Sequence, residues 1–99
     1  MSYTTEDMIQ YTVNEALRIT NLTGLDVTPC GSTGIAIITD YKAEYPYSVL
    51  FGDIITHKFK TTESLRDWNN NYNSIMVAIP IGMAITQLEE RSVWVRKGQ

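Results

Sequence analysis

Cysteine, histidine, proline and basic residues are all scarce in this chain, and each scarcity narrows what it can be. Cys30 stands alone, so no internal disulfide and no cysteine-based zinc site can form, which fits a reducing compartment. His57 is the sole histidine, so metal coordination would have to rest on scattered carboxylates, and neither a metal nor a cofactor is expected. The 8 lysines and arginines are outnumbered by 11 acidic residues, for a net charge of −3. That balance lacks the basic surface that tracks phosphates, and strong direct nucleic-acid binding is not expected. Long apolar runs are missing too: the longest, Ile75 to Ile85, is interrupted by Pro80 and Gly82 and reaches about half the ~20 residues of a membrane span. The first residues carry no basic-then-apolar leader pattern, so a cytoplasmic location is expected and the Asn21-Leu22-Thr23 sequon reads as chance.

What is present is enough apolar material for one core. Hydrophobic residues make up 43% of the 99, aromatics 10% and charged residues 19%, a composition that predicts a single folded domain over 1–99. Thr4 or Thr5, followed by Glu6 and Asp7, reads as the start of a helix over about 5–21, with Ile9, Val13, Ala16 and Leu17 on its apolar stripe and Gly24 beyond its end. Leu25 to Gly34 reads as a short edge strand running into a turn. The β-branched run Ile35–Tyr41 predicts a strand with Ile35, Ile37, Thr39 and Tyr41 on one face and Ala36, Ile38 and Asp40 on the other. Tyr47–Phe51 and Ile54–Phe59 flank Gly52-Asp53, which suits a two-residue hairpin placing Leu50 opposite Ile55 and Ser48 opposite His57.

Thr61 or Thr62 caps the next expected helix, whose stripe is Leu65, Trp68, Tyr72 and Ile75 or Met76. Pro80 suits the first turn of a further helix with Ile81, Ala84, Ile85 and Leu88 inward and Glu89, Glu90 and Arg91 in water. A break near Ile79 is then expected; helix is the favoured reading of Ile75–Ile79, with a short buried strand as the competing one. Val93-Trp94-Val95 alternates and could add a strand or dock Trp94 on the body. The fold class is therefore α+β: an N-terminal helix, a three- or four-stranded antiparallel meander sheet, and two C-terminal helices packed on one face.

No catalytic set is legible. His57 has Ser48, Ile55 and Phe59 as expected neighbours and no nucleophile or carboxylate to act with. Cys30 lies in Thr-Pro-Cys-Gly-Ser-Thr-Gly, a glycine-rich turn without the ending of a phosphate loop. Glu6-Asp7 and Glu89-Glu90 are adjacent pairs whose side chains diverge on a helix. Binding is the better reading, and its candidate is the connection Asp40-Tyr41-Lys42-Ala43-Glu44-Tyr45-Pro46-Tyr47, where Asp40, Tyr41, Lys42, Glu44, Tyr45 and Tyr47 offer contact area with little side-chain entropy to lose. A second candidate is self-association: residues 75–85 are apolar in every helical direction, so Ile81 and Met83 could form a homodimer interface unless the N-terminal helix covers them.

Phe59-Lys-Thr-Thr-Glu-Ser-Leu-Arg-Asp-Trp68 is similar to the strand-to-helix passage of small phage-encoded inhibitors of bacterial defence, the anti-CRISPR proteins, some of which block type I-F surveillance complexes. The resemblance covers ten residues, all in cap or core positions. It implies a stoichiometric inhibitor or adaptor, acting in the host cell cytoplasm on a host protein or ribonucleoprotein complex. Two alternatives are a nucleic-acid-binding module with the topology of a double-stranded RNA-binding domain and an accessory subunit of a larger enzyme. The first meets Thr62-Glu63-Ser64-Leu65-Arg66-Asp67, net negative where that family is lysine-rich.

Overall fold

A computed structural model describes residues 10, 14, 16–18, 20–52 and 54–97, the side chains of 92–97 excepted. The helix-start residues Thr4 to Asp7, the stripe residues Ile9 and Val13, and Asp53 of the hairpin lie outside the described residues. Helical residues among 10–23 form α1. The strands are β1 (Asp26–Pro29), β2 (Ile35–Thr39), β3 (Tyr47–Phe51) and β4 (Ile54–Phe59), followed by helices α2 (Thr62–Tyr72) and α3 (Ile75–Lys97). The strands pair antiparallel in the order β1-β2-β3-β4, the four-stranded meander that short connections dictate.

Helix α1 stops where expected: the Gly24 amide donates to the Thr20 carbonyl at 2.8 Å with a φ of 73° that glycine adopts without strain. Of its described residues, Ala16 is buried against the sheet, whereas Leu17, expected on the same stripe, is exposed. Both faces of the sheet are covered. Ile35 and Ile37 face α2 and α3 in a core with Cys30, Tyr47, Val49, Leu65, Ile81, Ala84, Ile85 and Leu88. Ala36, Ile38, Val27 and Leu50 meet Ala16 on the opposite face. The period-two alternation of β2 is what divides its side chains between the two layers.

Thr61 is the N-cap of α2, its hydroxyl accepting from the Ser64 amide at 3.1 Å. The inward residues of α2 are Leu65 and Asn69. Tyr72 is exposed and Trp68 only half-buried, which corrects the expected Leu65, Trp68, Tyr72 stripe by a rotation toward Asn69. Asn69 is there for a polar reason: its amide donates to the Ala78 carbonyl at 2.8 Å and its carbonyl accepts from Asn73 at 2.8 Å, tying α2 to the start of α3.

No break occurs at Ile79, and Ile75–Ile79 is helix rather than strand. Pro80 sits inside α3, where it forfeits one hydrogen bond to the Met76 carbonyl, a local cost of about 3 kcal/mol. Burial of Ile81, Ala84, Ile85 and Leu88 immediately afterwards offsets it, at roughly 1.5–3 kcal/mol for each large side chain. The Pro80 ring also lies against the β1–β2 turn: a Cβ on Gly31 would stand 3.1 Å from Pro80 Cβ, and Gly31 has a φ of 59°. Residues 91–97 continue the helix instead of adding a strand, and the Trp94 side chain lies outside the described residues. Glu89 and Glu90 are exposed as expected, whereas Arg91 is half-buried and tethers the helix to the sheet. Arg91 donates from Nη1 to both Asp26 carboxylate oxygens at 2.7 Å and from Nη2 to the Thr28 hydroxyl at 2.6 Å, and Arg66 of α2 pairs with Glu89.

Candidate binding surface

The feature that shapes the surface is an extra residue in β4. Leu50 pairs with Ile55 as the hairpin predicts, but Val49 pairs with His57, and Ser48 with Lys58, leaving Thr56 unopposed. Such a bulge shifts every later residue to the other face of its strand. The expected pairing of His57 with Ser48 is thereby corrected, and the imidazole moves from the α1 side of the sheet to the α2 side. The Thr56 hydroxyl donates to the Val49 carbonyl at 3.4 Å and shares a 3.1 Å hydrogen bond with His57 Nδ1.

On the α2 side His57 meets aromatic rings. Its centroid is 4.7 Å from that of Trp68 and 6.1 Å from that of Phe59, stacked within 7°, while Phe59 and Trp68 are 5.6 Å apart. These distances lie in the range where ring pairs attract beyond simple area burial. His57, Trp68, Tyr72 and Asn73 line an open groove of about 410 Å³. Next along the chain from Phe59, Lys60 places its ammonium 5.3 Å from the centre of the Tyr45 ring and 4.0 Å from the Glu44 carboxylate. Those contacts tie the tyrosine-rich connection to the end of β4, the strand that carries His57.

The connection itself is a folded turn. The Asp40 amide donates to the Pro46 carbonyl at 2.8 Å, the Asp40 carboxylate accepts from the Lys42 amide at 3.1 Å, and the Ala43 amide donates to the Asp40 carbonyl at 3.1 Å. Asp40 is half-buried; Tyr41, Lys42, Glu44 and Tyr45 are exposed. Tyr47 is not part of this surface, because as the first residue of β3 it points into the helix-side core. Of the two residues expected at a dimer interface, Ile81 is fully buried against the sheet and unavailable to a partner, whereas Met83 is exposed.

The groups that might have carried chemistry are occupied otherwise. Cys30 is fully buried, and desolvation pushes its thiol from an ordinary 9.0 to about 12. A thiol in that state supplies no nucleophile near neutral pH. The native protein should therefore resist a thiol-reactive dye at pH 8 and react only in denaturant; prompt labelling of the folded chain would contradict this. Because the folded value exceeds the unfolded one, the stability linked to Cys30 is intact below pH 9 and lost as pH rises toward 12. Among the described residues, no group of three His, Cys, Asp or Glu is arranged to hold a metal ion, and no helix is long and apolar enough to cross a membrane.

The bulge was the missing signal at the sequence level. Nothing in Ile-Ile-Thr-His-Lys-Phe marks Thr56 as the extra residue, although a histidine and a phenylalanine two apart already announced an aromatic face. No family model, no curated protein and no solved structure matches the chain.

Proposed function

We propose that this chain is a non-catalytic binding protein, an adaptor or inhibitor that occupies a surface of a larger protein or ribonucleoprotein assembly through Tyr45, Lys60, His57, Trp68 and Tyr72. The observation that carries the reading is the groove between β4 and α2, where the bulge at Thr56 brings His57 to Trp68 while Tyr72 stays in solvent. Rigid aromatic side chains that remain accessible supply large contact area at small entropic cost and are the commonest anchors of protein interfaces. The resemblance of residues 59–68 to phage-encoded inhibitors falls on the elements that build this groove, since Phe59 and Trp68 belong to both. A bacterial host complex acted on in the cytoplasm is the partner class that follows from it.

Affinity capture from bacterial lysate with the parent chain and with a Tyr45→Ala/His57→Ala variant tests the proposal. Both residues are exposed, so the variant should keep the parent's circular dichroism and lose only the modest stability that the His57–Trp68 and Tyr45–Lys60 contacts supply. Loss of hot-spot contacts worth about 2 kcal/mol or more predicts an affinity for the captured assembly reduced by roughly thirtyfold. Equal capture by both chains, or no stoichiometric partner for either, would overturn it.

A further inference from the structure

The outward face of α3 carries a second, unrelated surface. Ile75 is 74% exposed, Met76 83%, Ile79 59% and Met83 64%, and they recur at the i, i+4, i+8 spacing that aligns side chains along one stripe. The opposite face holds Ile81, Ala84, Ile85 and Leu88 in the core. The sequence offered helix α1 as a cover for this stripe, but its described residue Ala16 packs on the far side of the sheet against Ala36 and Ile38. Past Met83 the outward positions become Thr86, Gln87 and Glu90, so the apolar stripe is confined to about 12 Å of helix.

The geometry points to a second copy of this chain as the occupant, packed through α3 about a twofold axis at Ile79. Three observations select it. From Trp68 to Leu88 the sequence contains no acidic or basic residue, so the stripe from Ile75 to Met83 carries no charge of its own, and Arg66, which reaches Thr86 at its edge, is already paired with Glu89. Ile79 is the midpoint of the stripe, and an antiparallel crossing centred on it sets Ile79 against its own copy and Ile75 and Met76 against the partner's Met83, as an isologous contact requires. The area suffices: the four side chains offer on the order of 500 Å², and the flanking Thr86 and Gln87 bring each copy to the ~600 Å² that the smaller specific interfaces bury. The aromatic groove lies on other residues, so a dimer would present it twice.

Sedimentation equilibrium at low micromolar concentration should give twice the chain mass of 11.2 kDa. Ile79→Glu, which sets two carboxylates together on the axis, should weaken the dimer by at least about a hundredfold while leaving circular dichroism unchanged, because the residue is exposed in the monomer, and the melting temperature should fall only by the part that depended on chain concentration. Ile79→Cys should form an intermolecular disulfide under mild oxidation, since the axis pairs residue 79 with itself, and buried Cys30 gives no competing product. A parent chain that stays at 11.2 kDa, or a dimer that Ile79→Glu leaves intact, overturns the assignment. In the first case the stripe belongs to a different macromolecule, and in the second the copies meet elsewhere.

Discussion

Leu65→Ala is expected to lower the stability of the fold by about 3 kcal/mol, within the usual 2–5 kcal/mol range for emptying a leucine site. Leu65 is fully buried and belongs to the cluster that joins α2 and α3 to Ile37 and Val49 of the sheet. Its removal takes methyl groups from a place where three elements meet, and rigid strands on one side limit collapse around the cavity. For a domain of this size the melting temperature should fall by roughly 12–24 °C, a large part of the whole margin. Thermal unfolding followed by circular dichroism gives the answer directly. A drop of only a few degrees would mean that α2 does not present this residue to the sheet.

Asn69→Asp should be at least as damaging, at about 3–5 kcal/mol near neutral pH, although the two side chains have nearly the same shape. The Asn69 amide nitrogen donates to the Ala78 carbonyl, and an aspartate would place a lone pair there and bury a charge that is given no cation. The pH dependence gives the test its sign. Desolvation raises the folded-state pKa of the new carboxyl above its unfolded value of about 3.9, so the penalty is absent below that pH and grows as pH rises above it. A protonated carboxyl can also donate to Ala78. Denaturant titrations of parent and variant should therefore converge below about pH 4 and diverge by pH 7. A constant difference at every pH would show that the site is solvated.

These two residues also show where the sequence was readable. Leu65 follows from the Thr61 cap and the helical period, and the meander follows from β-branched alternation and short connections, so the α+β architecture was legible before any coordinates. Asn69 was not, because an asparagine in Asn69-Asn70-Asn71 looks like a polar weakness in a helix until the neighbouring carbonyl it serves is visible. Pro80 misled for a related reason. Local propensity argues for a helix start, but the turn before Pro80 has contacts of its own, with Val77 packed on the core and the Ala78 carbonyl accepting from Asn69.

The binding surface was half legible. Tyrosines 41 and 45 stood out by type and position, whereas Tyr47 was read both as the first residue of a strand and as part of the connection, and the sequence did not say that its ring turns toward the helices. The groove was invisible because it depends on Thr56: a one-residue bulge leaves no compositional mark, yet it decides which face His57 joins. The exposed stripe of α3 was legible as an excess of apolar residues. Which of them point outward was settled by the phase of the helix, with Ile81 turned in and Ile79 and Met83 turned out.

Site-specific photocrosslinking in bacterial host cells tests the central claim most directly. A photoreactive phenylalanine analogue at position 57 lies in the groove; the same analogue at position 22, where Leu22 is 71% exposed on α1, reports on the opposite side of the sheet. The binding account predicts a discrete covalent adduct with one host protein from position 57 and none from position 22. Adducts from position 22 alone, or a chain that crosslinks to nothing from position 57, would contradict it.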